Sequence, residues 1–315
     1  MGAALDPRLV NAWQRGFPLV PRPFAEIAAR CGSTEAQVLE EFRLFKSSGL
    51  IDRVGPVFRP RTVGASTLAA MAVPAERVDA VAETVGRHAG VNHSYEREHS
   101  YNLWFVVTGP DEAEVEETLA SIERETGLPA LRLPLEEEFH IDLGFDLKDH
   151  AVPRGPQRAV VPMLTAEEKR LVARIAPGLP LVPRPYAELG LPEETVLATL
   201  RRWLELGIVR RIGAVLRHRR LGYEANAMVV WNVPDDVVAA AGRRLAADPA
   251  VTLCYRRARA LPEWPYNLYC MVHGRERSRA VYEVKRINMT LDLDRYPRLV
   301  LFSSRCFTQR AANYG

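Results

Sequence analysis

Hydrophobic positions change their period partway along each half of the chain. From Thr165 to Leu206 they recur at three- and four-residue intervals. Thr165 with Glu168 forms a capping box that opens a helix through Ile175, and the stretch from Pro177 to Pro185 breaks it. A short helix is expected from Pro185 to about Gly190. A longer one follows from about Pro192 to Leu206, with Val196, Leu197, Leu200, Trp203 and Leu204 on one face and Gly207 at its end. Ile208 to Arg219 then reads as a β-hairpin, so the order predicts a winged helix-turn-helix. The same order is expected from about Arg8 to Arg61, with Ser33 and Gly49 bounding its third helix. Beyond Arg61 strand-like alternation appears: a strand at Ser66 to Val73, a helix at Pro74 to His88, and a hairpin at Val91 to Arg97 and Tyr101 to Thr108. A second helix at Asp111 to Thr126 and a strand at Ala130 to Leu135 complete a βαββαβ ferredoxin-like plait. In the second half the matching segments are Ala225 to Val233, Asp235 to Ala247, Val251 to Arg257, Tyr266 to His273, Glu276 to Asn288 and Arg298 to Phe302.

The halves match residue by residue. Leu19-Val20-Pro21-Arg22-Pro23-Phe24-Ala25-Glu26 returns as Leu181-Val182-Pro183-Arg184-Pro185-Tyr186-Ala187-Glu188, and Tyr101-Asn102-Leu103-Trp104 as Tyr266-Asn267-Leu268-Tyr269. A repeat of this length defines the architecture. The fold class is therefore α+β, a tandem duplication of a winged helix-turn-helix plus a ferredoxin-like module. The boundaries are 1–62 and 63–148 for the first pair, a proline-containing linker at 149–162, then 163–222 and 223–315. The repeats supply both sides of a plait contact, so an internal pseudo-dimer is expected, with a further homodimer left open.

A winged helix followed by such a plait resembles the leucine- and asparagine-responsive (Lrp/AsnC) regulators, which implies DNA reading by the third helix. The residues argue against it. Net charge over the 315 residues is only +3. The helix starts that would meet phosphates hold Thr34, Glu35, Ala36 and Gln37, or Pro192, Glu193, Glu194 and Thr195, so carboxylates would face the duplex. Basic Arg210, Arg211, Arg217, Arg219 and Arg220 along the second wing keep the regulator reading open. The 47% hydrophobic content is globular, no apolar run is long enough for a bilayer, and the start at Met1 to Pro7 lacks a secretory pattern, so a cytoplasmic protein is expected. Cys31, Cys254, Cys270 and Cys306 have no zinc spacing and read as free thiols.

The richest chemistry lies at His93-Ser94-Tyr95-Glu96-Arg97-Glu98-His99 up to Trp104. A period of two places His93, Tyr95, Arg97 and His99 on one face. That row suits either a polar cavity or an interface hairpin. Its counterpart keeps Tyr255 and Arg257, with Arg256 and Arg259, but has Leu253 in place of His93; its histidine is His273, at the end of the next strand. Imidazole, phenol and clustered guanidinium suit a polyanionic ligand that also exchanges a proton. No nucleophile elbow, P-loop or dinucleotide fingerprint occurs. The prolines beside Arg22 and Arg184 read as helix-linking turns. His140 lies in a strand-like stretch that could reach a neighbouring module.

Three strings carry a more specific resemblance: Tyr95-Glu96-Arg97 to Tyr101-Asn102-Leu103-Trp104-Phe105; Cys254-Tyr255-Arg256-Arg257 to Trp264-Pro265-Tyr266-Asn267-Leu268-Tyr269-Cys270-Met271-Val272-His273-Gly274; and Phe139-His140-Ile141-Asp142-Leu143-Gly144-Phe145. Over essentially its whole length the chain resembles the sirohaem decarboxylases, in their fused two-subunit form. The resemblance implies loss of carbon dioxide from two acetate side chains of sirohaem, giving didecarboxysirohaem in d-type haem biosynthesis. It implies no cofactor and no metal beyond the substrate's iron. On that footing His93 is the expected general acid, Tyr95 assists it, and Arg97 with His99 positions the acetate. Tyr101, Asn102, Trp104, Tyr255, Arg256, Arg257, Arg259, Tyr266 and His273 are expected to hold the tetrapyrrole, with His273 or His99 as an axial ligand to its iron. A DNA-binding regulator and a haem-binding sensor are the alternatives.

Overall fold

The computed structural model describes residues 12–141, 163–217 and 225–314. The expected linker at 149–162, the helix start near Arg8, the stretch from Asp142 to Phe145, and Arg219 and Arg220 lie outside the described residues. In chain order the elements are α1 (Pro23–Cys31), α2 (Glu35–Ser47), β1 (Ile51–Phe58), β2 (Ala65–Met71), α3 (Val78–Arg87), β3 (Val91–Arg97), β4 (Leu103–Gly109), α4 (Glu112–Thr126) and β5 (Ala130–Ile141). The second half gives α5 (Ala166–Ile175), α6 (Glu193–Glu205), β6 (Val209–Leu216), β7 (Ala225–Trp231), α7 (Val238–Ala246), β8 (Val251–Arg257), β9 (Leu268–Gly274), α8 (Arg277–Leu291) and β10 (Arg298–Gln309). They form two bodies, each drawing on both halves of the chain: one of helix-turn-helix segments, the other of both plaits.

In the helical body the capping box of Thr165 and Glu168 opens α5, and Thr34 with Gln37 does the same for α2. The segment expected as a wing hairpin is different. Val209–Leu216 is one uninterrupted strand that pairs antiparallel with β1, Gly213 opposite Gly55. The reason is close approach. A side chain on Gly213 would collide with the carbonyl oxygens of Trp13 and Gln14, and Ala214 N–H donates to Trp13 O at 2.9 Å. Glycine here admits a neighbouring backbone and makes no turn.

The two proline-arginine loops join the helix-turn-helix copies reciprocally. Arg43 of α2 donates to Leu181 O at 2.9 Å, and Arg201 of α6 donates to Leu19 O at 2.6 Å. Arg22 pairs with Glu35 and Arg184 with Glu193, the first residue of each third helix. The Tyr186 hydroxyl donates to Pro18 O at 2.9 Å from a fully buried position, where burial pushes its pKa well up.

The second body is a closed eight-stranded barrel in the order β10-β3-β4-β2-β5-β8-β9-β7. Each plait's last strand runs further than its sequence pattern suggests and is shared. β5 pairs with β2 over 130–134 and then with β8 over 135–141, which brings His140 opposite Cys254. β10 pairs with β7 over 298–302 and with β3 over 303–309. Phe139 accordingly packs in the second half's helix-side core, and Phe307 against the first half's. Inside the barrel lie Leu68, Ala70, Trp104, Leu133, Met228, Val230, Trp264, Tyr269, Met271 and Leu301.

Candidate active site

A β-bulge aims the row beginning at His93. Val91 pairs with Val107, and both pack beneath the first half's helices, but the next partners are His93 with Val106. The extra residue, Asn92, turns the strand over, because side chains alternate with a period of two. From there His93 lies opposite Val106 and Tyr95 opposite Trp104, both of the barrel interior, while Ser94 between them is fully buried on the helix side. The second hairpin repeats the device at Thr252, so Leu253 pairs with Met271 and Tyr255 with Tyr269. The interior thus carries His93, Tyr95 and Arg97 from one half and Leu253, Tyr255 and Arg257 from the other.

Each arginine reaches across to the strand that its own plait receives. Arg97, 6% exposed, donates from Nη1 to Leu301 O at 3.0 Å; Arg257 donates from Nη1 to Leu133 O at 2.8 Å. The Arg97 guanidinium lies 5.7 Å from the Tyr95 ring centre, and that of Arg257 lies 5.1 Å and 6.0 Å from the rings of Tyr255 and Tyr269. Among the described residues no carboxylate pairs with Arg257, and its solvent-sealed Nε has no hydrogen-bond partner. Burial pulls its pKa down, with Tyr255 and Tyr269 opposing. A half-buried cation with one hydrogen-bonded carbonyl, two phenol rings and no carboxylate leaves room for an anionic ligand to complete its pairing.

An aromatic cluster closes the hairpin-loop side of the interior. The Trp264 ring is 5.5 Å from His99, 6.0 Å from Tyr101 and 5.0 Å from both Trp104 and Tyr266, all edge-on or steeply tilted. Trp264 Nε1 donates to the Tyr269 hydroxyl at 2.7 Å, and Trp104 Nε1 to Tyr101 O at 2.7 Å. Neither Trp264 nor Tyr269 is among the residues expected from sequence. The alternation of β9 could have found Tyr269; Trp264 sits in an irregular loop that carries no period.

The two candidate axial histidines sit in different hydrogen-bond settings. His99 Nδ1 accepts from the Tyr101 N–H at 3.0 Å, so the proton of the neutral ring is on Nε2. Burial lowers its pKa, which keeps it neutral. Thr252 Oγ1 lies 3.2 Å from Met271 O and 2.9 Å from His273 Nδ1, so the hydroxyl links this ring to the strand edge. A folded-state pKa below the unfolded value makes His99 a source of stability above about pH 6.5 that is lost as acid protonates the buried ring. The melting temperature of a His99→Asn variant is expected to depend less on pH between about 6.5 and 5 than that of the parent, as a thermal melt series would record.

Other expected residues stand apart from the interior. Asn102 ties its hairpin to the end of β2, accepting from Val73 N–H at 2.9 Å and donating to Val73 O at 2.8 Å; Asn267 does the same at Val233. Arg256 lies on the opposite face from Tyr255, 2.7 Å from Glu136 and 3.1 Å from Asp235. Arg259 donates to Asp235 at 2.8 Å and to Val233 O at 2.6 Å, and its hydrogen bond holds the Asp235 pKa down. These two cations are already paired, so the structure places His93, Tyr95 and Arg97 on one side of the barrel interior, Tyr255 and Arg257 on the strand across it, and groups His99, Tyr101, Trp104 and Tyr266 separately. Opposite Tyr95 and Tyr255 the shared strands present Cys306 and Glu138, neither of them expected. No group of residues suited to hold a metal ion occurs among the described residues, and no helix there is long and apolar enough to cross a membrane.

Comparison with known proteins extends this picture. Residues 63–140 and 220–308 match the AsnC-like ligand binding domain, and residues 6–51 and 168–210 match the siroheme decarboxylase NirDL-like HTH domain. The siroheme decarboxylase NirDL subunit of Paracoccus denitrificans is 44% identical over 98% of this chain and 96% of its own length. The NirD subunit of Pseudomonas aeruginosa is 48% identical over 46% of this chain and 96% of its own. A crystal structure of siroheme decarboxylase NirDL superposes with a TM-score of 0.70 at 29% identity, covering 98% of this chain and 93% of that one. Its co-complex with an iron-uroporphyrin III analogue gives 0.68 over the same shares.

Proposed function

Since the chain belongs to the sirohaem decarboxylase family, we propose that it removes carbon dioxide from two acetate side chains of sirohaem to give didecarboxysirohaem, a step toward d-type haem. The observation that carries the assignment of a site is Arg257: a half-buried guanidinium beside two phenols, its Nε without a hydrogen-bond partner and with no carboxylate partner among the described residues. A tetrapyrrole carboxylate supplies the missing charge, held as an arginine–carboxylate pair. Arg97 occupies the pseudo-symmetric place beside Tyr95.

Each decarboxylation consumes one proton. The electron pair of the bond to the carboxylate passes into the macrocycle as carbon dioxide leaves, and the resulting exocyclic carbon takes a proton to become methyl. His93 is the donor to that carbon, and Tyr95, with its ring centre 6.5 Å away, orders its surroundings. The iron belongs to the substrate. His273 is the candidate axial ligand to that iron, because His99 Nδ1 is already taken by the Tyr101 N–H; His99 with Tyr101, Trp104 and Tyr266 forms a wall for the macrocycle. The second half, with Leu253 at the equivalent of His93, contributes anchoring.

Anaerobic incubation with sirohaem, followed by mass analysis of the extracted tetrapyrrole, tests the activity. Loss of two carbon dioxide units is expected. Tetrapyrrole recovered bound but unchanged would make the protein a sensor. The helix-turn-helix body is expected to leave duplex DNA unshifted even at about 50 mM salt, where phosphate contacts are strongest. Arg43 and Arg201 are occupied by loop carbonyls, and glutamates open both third helices. A salt-sensitive shift would restore the regulator reading.

A further inference from the structure

The bulge that aims His93 is gripped from the far end of the chain. Just past β10, Arg310 donates its backbone N–H to the carbonyl of the bulge residue Asn92 at 2.9 Å and its Nε to Val91 O at 2.7 Å. Its Nη2 reaches Gly86 O at 3.1 Å and also His88 O, the carbonyls that close α3. One guanidinium thus satisfies three carbonyls where a helix ends and β3 begins, and a cation there also complements the helix dipole. The residue before it, Gln309, is the strand partner of His93 itself.

We infer that Arg310 is a positioning residue for decarboxylation: by fixing the bulge at Asn92 it sets the register that turns His93 into the barrel. The inference rests on the proposed role of His93. Pseudo-symmetry supplies the comparison. In the second half, where the row begins with Leu253, the Thr252 hydroxyl at the bulge donates to Met271 O. The guanidinium clamp lies at the bulge that precedes the imidazole.

The test is a double-mutant cycle of Arg310→Gln with His93→Ala, read as single-turnover decarboxylation of sirohaem, with binding of the iron tetrapyrrole and thermal melting measured alongside. Misplacing a reacting group by about 1 Å can lower a rate about a hundredfold. In the parent background Arg310→Gln is expected to slow turnover at least about tenfold with tetrapyrrole affinity unchanged, and Arg310→Lys, which keeps the charge but not the fork, to fall between. In the His93→Ala background the same change is expected to have no further effect. Equal fractional losses in both backgrounds, or full turnover by Arg310→Gln, would overturn the inference. So would failure of both Arg310 variants to fold, which would make the residue a support of the barrel alone. Undiminished turnover by His93→Ala alone would instead remove the acid role, separately from anything Arg310 does.

Discussion

His93→Ala is expected to bind iron tetrapyrrole as the parent does and to decarboxylate it about a hundredfold to ten-thousandfold more slowly, the usual contribution of a placed acid. In free energy that is roughly 3 to 5 kcal/mol of barrier. The imidazole enters when the exocyclic carbon needs a proton, so its removal should lower kcat and leave affinity alone. It sits between the bulge and Tyr95 on the interior face, and Leu253 at the equivalent place of the second hairpin has no proton to give. Quenched-flow mass analysis, with binding followed by absorbance, separates the two quantities. A variant that turns over at the parent rate would move the acid elsewhere.

The second large effect concerns Arg257, and its size differs between two measurements. Arg257→Met should weaken binding of an iron-uroporphyrin probe by roughly ten- to a hundredfold, the worth of a charged hydrogen bond of about 1.5 to 3 kcal/mol. The ligand-free barrel should lose little in stability, because an apolar side chain of similar length replaces a half-buried cation without a carboxylate partner. The bond to Leu133 O accounts for that small loss. Spectroscopic titration and urea unfolding of the ligand-free protein provide the two readings. Equal losses of affinity and stability would mark Arg257 as a brace of the barrel.

Which parts of this could be read from the sequence depends on whether the signal was local. The capping box at Thr165, the apolar face of α6 and the alternation of β3 arise from neighbouring residues, and the structure has them. The wing expected at Ile208 to Arg219 failed because β6 pairs with β1 of the other half, a partner no local pattern shows, and Gly55 and Gly213 let another segment's backbone approach. The stretch around His140 reads as strand-like, but that the ends of β5 and β10 continue their strands is not legible locally, because their partners lie in the other half. At the site, spacing put His93, Tyr95 and Arg97 on one face, but could not say that a bulge would make it the inner one. Arg256 and Arg257 are adjacent, hence on opposite faces, and only the face decides which meets Glu136 and which the interior. Sequence alone treats them alike.

The exchanged last strands carry a consequence for how the protein can be assembled from pieces. Neither plait is complete without residues 135–141 or 303–309 of the other, so neither half owns a closed sheet. Were the halves separate polypeptides, as in relatives about half this length, closing the barrel would be a bimolecular event and the folded fraction would fall on dilution. In one chain the second half is always present at the effective concentration the connection sets, on the order of millimolar for linked modules. A single-chain barrel therefore stays assembled at protein levels where a two-chain one would come apart, and its two unlike halves can never pair with copies of themselves by accident of supply.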